Sequence, residues 1–336
     1  MRKNRVDWGA PLNIRTVVGD EDAHTLGFTH CHDHLFVFQA DYTVLLDGIL
    51  LDDYERTAQE VMEFRRRGGS ALVDLQPFGA GRHAGLLERL AIETGVTVIA
   101  CTGLHKAPFY SSTFWFWDAS TDEIADLFIS ELVEGMYDFN KSDPFEHRSA
   151  VRAGVIKIAS EEEGLTPLYR KVFEAAVKAH KAAGAPIITH AETAESGIQQ
   201  AEYLLERGVR PEHVTISHMD RRIDWSSNIR CAQLGVFLEY DTIGRFKYHG
   251  DAEEIDLIRT MIKRGFASQI TVGMDSTRER FLSYGGSLGL HYLLETFVPA
   301  LRANGVGERE IELITVENPR RALSWEKLSA IGPGNE

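Results

Sequence analysis

The chain has 336 residues and sets 36 Lys and Arg against 50 Asp and Glu, a formal net charge of −14. A surface of that sign repels a phosphate backbone and no basic stripe offsets it, so nucleic acid is disfavoured as a partner; no run of about 18 apolar residues marks a membrane span. Three scattered cysteines, Cys31, Cys101 and Cys231, do not make a disulfide framework, and Met1–Trp8 lacks the apolar stretch of a signal peptide, so a reducing cytoplasm is the expected home.

Eight apolar runs bounded by turn residues read as strands. The first, Leu26–His34, ends in His30-Cys-His32-Asp-His34. Histidines at i and i+2 of a strand point to one face, so their imidazoles can converge on one metal ion. The run contains two overlapping pairs of this kind, and by alternation all three histidines share a face. A helical pattern follows over Asp53–Arg67, then strands at Ala71–Gln76 and Thr97–Thr102. After the third strand come His105, a candidate to face a pocket, and the aromatic group Phe109, Tyr110, Phe114, Trp115, Phe116 and Trp117, expected in core or subunit packing.

The fourth strand, Val155–Ala159, holds Lys157 in an apolar setting. A helix over Tyr169–Ala183 precedes the fifth strand, Pro186–His190, and the remaining strands are Val214–His218, Val236–Asp241 and Gln269–Asp275. Several of these are almost continuously apolar before a polar end, as in parallel strands covered on both faces. Gly95 and Gly184 stand where helices should end.

Lys157 and His190 lie 33 residues apart, and His190 and His218 lie 28 apart. His218 and Asp275 are 57 apart, two such steps with a strand between. This rhythm of strand and helix predicts an α/β fold, a (β/α)8 TIM barrel forming one domain over 1–336. A doubly wound open sheet is the alternative, but it would not gather residues from strands one, four, five, six and eight. In a barrel the C-terminal strand ends surround one pocket.

There His32, His34, His190 and His218 supply imidazoles, and Asp275 supplies a carboxylate, a donor set suited to two divalent ions: zinc first, with manganese, cobalt or iron as alternatives. Lys157 is the odd member. An unpaired ammonium is costly to bury, so it must be paired, have a lowered pKa or be chemically converted. Carbamylation by carbon dioxide would make it an anionic bridge between two metals. Cations follow the last three strands: Arg221 and Arg222, Arg245 and Lys247, Arg278 and Arg280. Solvated loop charges are their ordinary reading, whereas Arg in particular suits phosphate or carboxylate.

These motifs resemble the phosphotriesterase family of the amidohydrolase superfamily. The matching segments are Gly27-Phe-Thr, His32-Asp-His34-Leu, Ile156-Lys157-Ile, Thr189-His190-Ala-Glu, Ile216-Ser-His218-Met-Asp-Arg, Asp241-Thr-Ile-Gly244, Gly273-Met-Asp275 and Val316-Glu-Asn-Pro-Arg-Arg-Ala-Leu323. The resemblance runs from about residue 12 to residue 326, which implies a barrel core at about 12–326; it selects His32 and His34 as the ligating pair and leaves His30 one step deeper, as a hydrogen-bonded core histidine. It implies His32, His34 and Asp275 on a more buried metal and His190 and His218 on a more exposed one, with carbamylated Lys157 and a hydroxide between them. Lys247-Tyr248 with Asp275-Ser-Thr-Arg278 is similar to members that hydrolyse phosphorylated sugar lactones, which implies that Lys247 and Arg278 bind phosphate. The chain departs from those members at Phe281, where they have Tyr. The expected function is therefore a metal-dependent lactonase acting on an anionic sugar lactone, with Asp275 as the base. Hydrolysis of phosphotriesters or of other esters and amides is the alternative, and a non-catalytic metal-binding protein a further one. The family also implies a homo-oligomer, a dimer.

Overall fold

The computed structural model describes residues 13–325; the Met1–Trp8 segment lies outside the described residues. Eight strands form the expected parallel ring. They are β3 (Phe28–Asp33), β4 (Gly69–Asp74), β5 (Thr97–Gly103), β6 (Val155–Ala159), β7 (Ile187–His190), β8 (Val214–Ser217), β9 (Phe237–Tyr240) and β10 (Ile270–Val272). Each pairs in parallel with the next in sequence. The ring closes where the N–H groups of Met274 and Asp275 donate to His32 O at 3.1 and 2.9 Å.

Alternation along the strands sorts the side chains. Leu72, Val98, Ala100, Ile156, Ile158 and Ile187 join one large core with the surrounding helices, while Val73, Ile99, Cys101, Val155 and Ile188 form a separate cluster. That second cluster fills the barrel interior. Lys157 stands two residues beyond Val155, and His190 two beyond Ile188, so the same period carries both from the interior core up into the C-terminal mouth.

Seven helices alternate with the strands: α1 (Tyr54–Arg66), α2 (Ala84–Thr94), α3 (Thr121–Val133), α4 (Pro167–Ala183), α5 (Ala194–Glu206), α6 (Trp225–Gln233) and α7 (Asp251–Lys263). Their ends follow local chemistry. Asp53 caps α1 by accepting from the Arg56 N–H, and Pro167 opens α4 at a position whose N–H has no helical partner. Gly95 and Gly184 end α2 and α4 with φ of 67° and 86°, a conformation that disfavours a Cβ. No helix among the described residues is long and apolar enough to cross a membrane.

Two strands escape the sequence pattern. β1 (Asn13–Thr16) and β2 (Gly19–Asp22) form an antiparallel hairpin. Val17 N–H donates to Val98 O at 2.9 Å, and Trp325 Nε1–H donates to Gly154 O at 2.7 Å with the Arg15 guanidinium 4.3 Å from its ring centroid. Val98 and Gly154 lie at the N-terminal ends of β5 and β6, so the hairpin and Trp325 cover the barrel's lower end, opposite the histidines.

Two sequence expectations need correction here. The strands end before His218 and Asp275 because both residues have left-handed backbones, with φ of 63° and 45°; they are the only such non-glycine residues among those described. His30 does not share a face with His32. The register of β3 on β4 shifts between His30 and Asp33, and His30 packs edge-on against Phe64 of α1 at 4.9 Å. His30 is nonetheless buried and hydrogen-bonded, its Nδ1 2.6 Å from Asp33 Oδ2.

Candidate metal centre

The six residues singled out as metal donors come from five different strand ends and meet in one place. His190 Nδ1 and His218 Nε2 face each other at 2.8 Å. His34 Nε2 lies 3.0 Å from Asp275 Oδ1, and His32 Nε2 lies 3.7 Å from the same oxygen. Lys157 Nζ approaches His32 Nε2 at 3.4 Å and forms no ion pair among the described residues. Donor atoms of His32, His34 and Asp275 all fall within 4.8 Å of one another.

The outward nitrogens are held by carboxylates. Asp241, just past β9, receives His32 Nδ1–H on Oδ2 at 2.8 Å and His218 Nδ1–H on Oδ1 at 2.6 Å. Each Nε2 is thereby left as the unprotonated nitrogen facing the centre. Glu192, two residues after His190, accepts from His190 Nε2 at 2.9 Å and is itself clamped by Lys106 and Arg221. Arg245 binds Asp275 twice, through the backbone carbonyl and through Oδ2 at 2.9 Å.

The protonation states suit a metal pair. Burial, reinforced by the Lys157 charge, lowers His32 to about 4. Burial lowers His190 to about 3, and puts His218 well below the usual histidine value with His190 adding to the effect. The imidazoles are therefore neutral, the form that coordinates a cation. Burial would raise Asp275, but the Arg245 charge and the hydrogen bond from His34 hold it well below the ordinary range, so it is a carboxylate. Burial also depresses Lys157, against the pull of Glu239, Asp241 and Asp275. A lysine pushed toward the neutral amine is the form that adds carbon dioxide. Neutral imidazoles, an ionised carboxylate and a depressed lysine together fit two divalent ions.

A cavity of about 460 Å³ opens directly over these groups. Its lining includes the apolar Val37, Leu46, Ile49 and Phe109 and the cationic Lys106, Arg245 and Lys247. His105 also lines it, stacked on Phe109 at 3.8 Å between centroids. Arg278 is not in that lining: its Nη1 lies 3.3 Å from Asp52 Oδ1 and its guanidinium rests over Tyr284. Arg280 is buried and donates to the Met274 and Ile243 carbonyls, bracing two loops, and Arg222 is exposed. Phe114 and Phe116 are core residues, and Phe281 is fully buried.

The profile of the phosphotriesterase family matches residues 12–323. The chain belongs to that family. Among phosphotriesterase-family relatives, it is 31% identical to a phospho-furanose lactonase of Mycoplasmopsis synoviae, over 95% of this chain and 94% of the relative. The fold superposes with a TM-score of 0.85 on a lactonase from Listeria monocytogenes, 27% identical, covering 94% of this chain and all of that one. The phosphotriesterase homology protein of Escherichia coli, solved with phosphate in its active site, gives a TM-score of 0.80 at 29% identity, covering 89% and 99%.

Asp241 and Glu192 were not singled out from sequence as parts of the site, although both stand in the quoted family motifs. The available signal was position: an acidic residue at the polar end of an apolar strand, or two residues beyond a candidate ligand, is placed to brace an imidazole. Replacing Asp241 with Asn should weaken metal affinity about 10–100-fold, since an amide cannot accept from both histidines. Chelator competition on folded protein measures this; unchanged affinity would remove Asp241 from the bracing role.

Proposed function

We propose that this phosphotriesterase-family hydrolase opens the ring of a sugar lactone carrying a phosphate or another anionic group. The observation that supports this is the cavity itself, where a two-metal donor set sits beneath three cationic side chains, Lys106, Arg245 and Lys247. The relatives named as lactonases, and the phosphate held by the E. coli relative, point the same way. In this reading His32, His34 and Asp275 would hold one ion and His190 and His218 the other, and Lys157, as its carbamate, would complete the donor set. Zinc is the first choice, with manganese, cobalt or iron as alternatives. The three cysteines are buried and free, in keeping with a cytoplasmic protein.

Two ions bound here would polarise the lactone carbonyl and make water a nucleophile near neutral pH. The chain's own residues do the rest. The apolar wall of Val37, Leu46, Ile49 and Phe109 packs the sugar ring and displaces water. Asp275 takes the proton of the attacking water as the new C–O bond forms, then delivers it to the ring oxygen as the ester C–O bond breaks. Arg245 keeps that carboxylate weakly basic, which favours prompt release of the proton. Lys247, exposed at the rim, is placed to meet the anionic substituent.

Hydrolysis of sugar-1,4-lactones, each with and without a 5-phosphate, tests the reading. Preference for the phosphorylated forms is expected. A hydrogen bond to a charged group is worth about 1.5–3 kcal/mol, so Lys247→Ala should raise KM for them by about tenfold or more and leave neutral lactones almost unchanged. Arg278, held on Asp52, should matter less. Equal effects of Lys247→Ala on both classes would remove the anion site. Turnover of neutral phosphotriesters in preference to every lactone would favour the second reading, since such substrates have no use for the cations.

A further inference from the structure

A second group of potential metal donors lies behind the central site. Asp220 follows β8, His249 lies in the loop after β9, and Glu254 belongs to the first turn of α7. One donor atom from each falls within 4.8 Å of the others. Asp220 and Glu254 have no solvent exposure, and the His249 side chain is 5% exposed.

Their hydrogen bonding is incomplete. Asp220 Oδ2 accepts from Thr242 N–H at 2.6 Å and Thr242 Oγ1 at 2.8 Å. Asp220 Oδ1 and both oxygens of Glu254 accept no hydrogen bond. His249 Nε2 lies 2.9 Å from Thr242 Oγ1 and 3.2 Å from Glu254 Oε2. Among the described residues, no lysine or arginine forms an ion pair with either carboxylate. Burial, with the neighbouring Asp220 charge next, pushes Glu254 well above the usual carboxylate range. Two buried carboxyl groups side by side, with only the His249 ring close to Glu254 Oε2, are expensive unless a proton or a cation sits among them.

We propose that Asp220, His249 and Glu254 bind a third divalent transition-metal ion, separate from the central pair. One imidazole nitrogen and two carboxylates form a mixed nitrogen and oxygen set of the kind taken by zinc, manganese or cobalt. With a neutral imidazole the ionised cluster carries two negative charges, which one such ion neutralises. The ion ties the segment after β8, the loop after β9 and the start of α7 together. That loop also carries Arg245 and Lys247, and Thr242 directly follows Asp241, so the site braces the rim of the cavity from behind.

Titration of metal-free protein with cobalt(II), followed by the visible absorption of the bound ion and by elemental analysis, tests this. Wild type should bind one equivalent more than Glu254→Gln and one more than His249→Ala, with lactone turnover retained in both variants. A central-site variant, His34→Asn with His190→Asn, should still bind cobalt in a form that disappears when Glu254→Gln is added. Equal stoichiometry in folded wild type and Glu254→Gln overturns the proposal and leaves a shared proton between the carboxyl groups as the explanation. If Glu254→Gln does not fold, the central-site variant decides alone, and no binding by it overturns the proposal. Failure of the central pair would read differently, as loss of turnover with the Glu254-dependent equivalent still present.

Discussion

Asp275→Asn is expected to lower kcat by about 10²–10⁴-fold while the barrel stays folded, the range for removal of a positioned acid–base group. The replacement has nearly the same shape. The Arg245 contact to the 275 carbonyl and the two amide bonds to His32 O do not depend on the side-chain charge. What disappears is the carboxylate charge 3.0 Å from His34 and, on the proposed mechanism, the group that moves a proton between water and leaving oxygen. Steady-state kinetics with metal analysis on the same sample separates the two losses. A variant that keeps its metals and turns over at a near-normal rate would exclude Asp275 as the base.

Lys157→Met should have an opposite pair of effects on activity and on metal-free stability. Methionine fills comparable space but cannot carry a carbamate, so the bridge proposed for Lys157 cannot form. Turnover should fall at least about 10³-fold, in keeping with the several kcal/mol that a bound metal contributes to the transition state, and metal content should fall with it. The metal-free protein, relieved of a buried amine with no ion pair among the described residues, should melt at the same temperature or higher. Calorimetry of metal-free samples beside kinetics of loaded ones checks both. An active variant would show that the lysine carries no bridge; a strongly destabilised one would make it a structural residue.

Much of the barrel was legible because buried parallel strands announce themselves as short apolar runs with polar ends. Val155–Ala159 is observed with the boundaries its pattern predicts, and the other seven strands shift by a few residues. At His34, Gln76, His218, Asp241 and Asp275 the polar residue that ends the apolar run leaves the ladder, whereas His190 stays in it and β5 runs one residue past Thr102. The β1–β2 hairpin was not legible, since Gly19–Asp22 is acidic and half exposed and reads as a loop. Periodicity also misplaced His30, because a register shift is a three-dimensional event with no mark in the alternation. Of the site, the residues that sequence brought together were those with metal-binding chemistry. Residues whose work is to hold another side chain, such as Asp241 and Glu192, take their meaning only from distance. Arg278 illustrates the converse: the right residue type after the right strand, yet turned toward Asp52.

The left-handed backbones of His218 and Asp275 set chain conformation against chemistry. Such a conformation costs a non-glycine residue about 1–3 kcal/mol, and Gly would relieve it. Selection for thermal endurance alone would therefore push both positions toward residues without the required donor. On the proposed roles of His218 and Asp275, the barrel can grow hardier at these two peptide units only by becoming a poorer catalyst, so any effort to stabilise it should begin at the hairpin end and leave the rim strained.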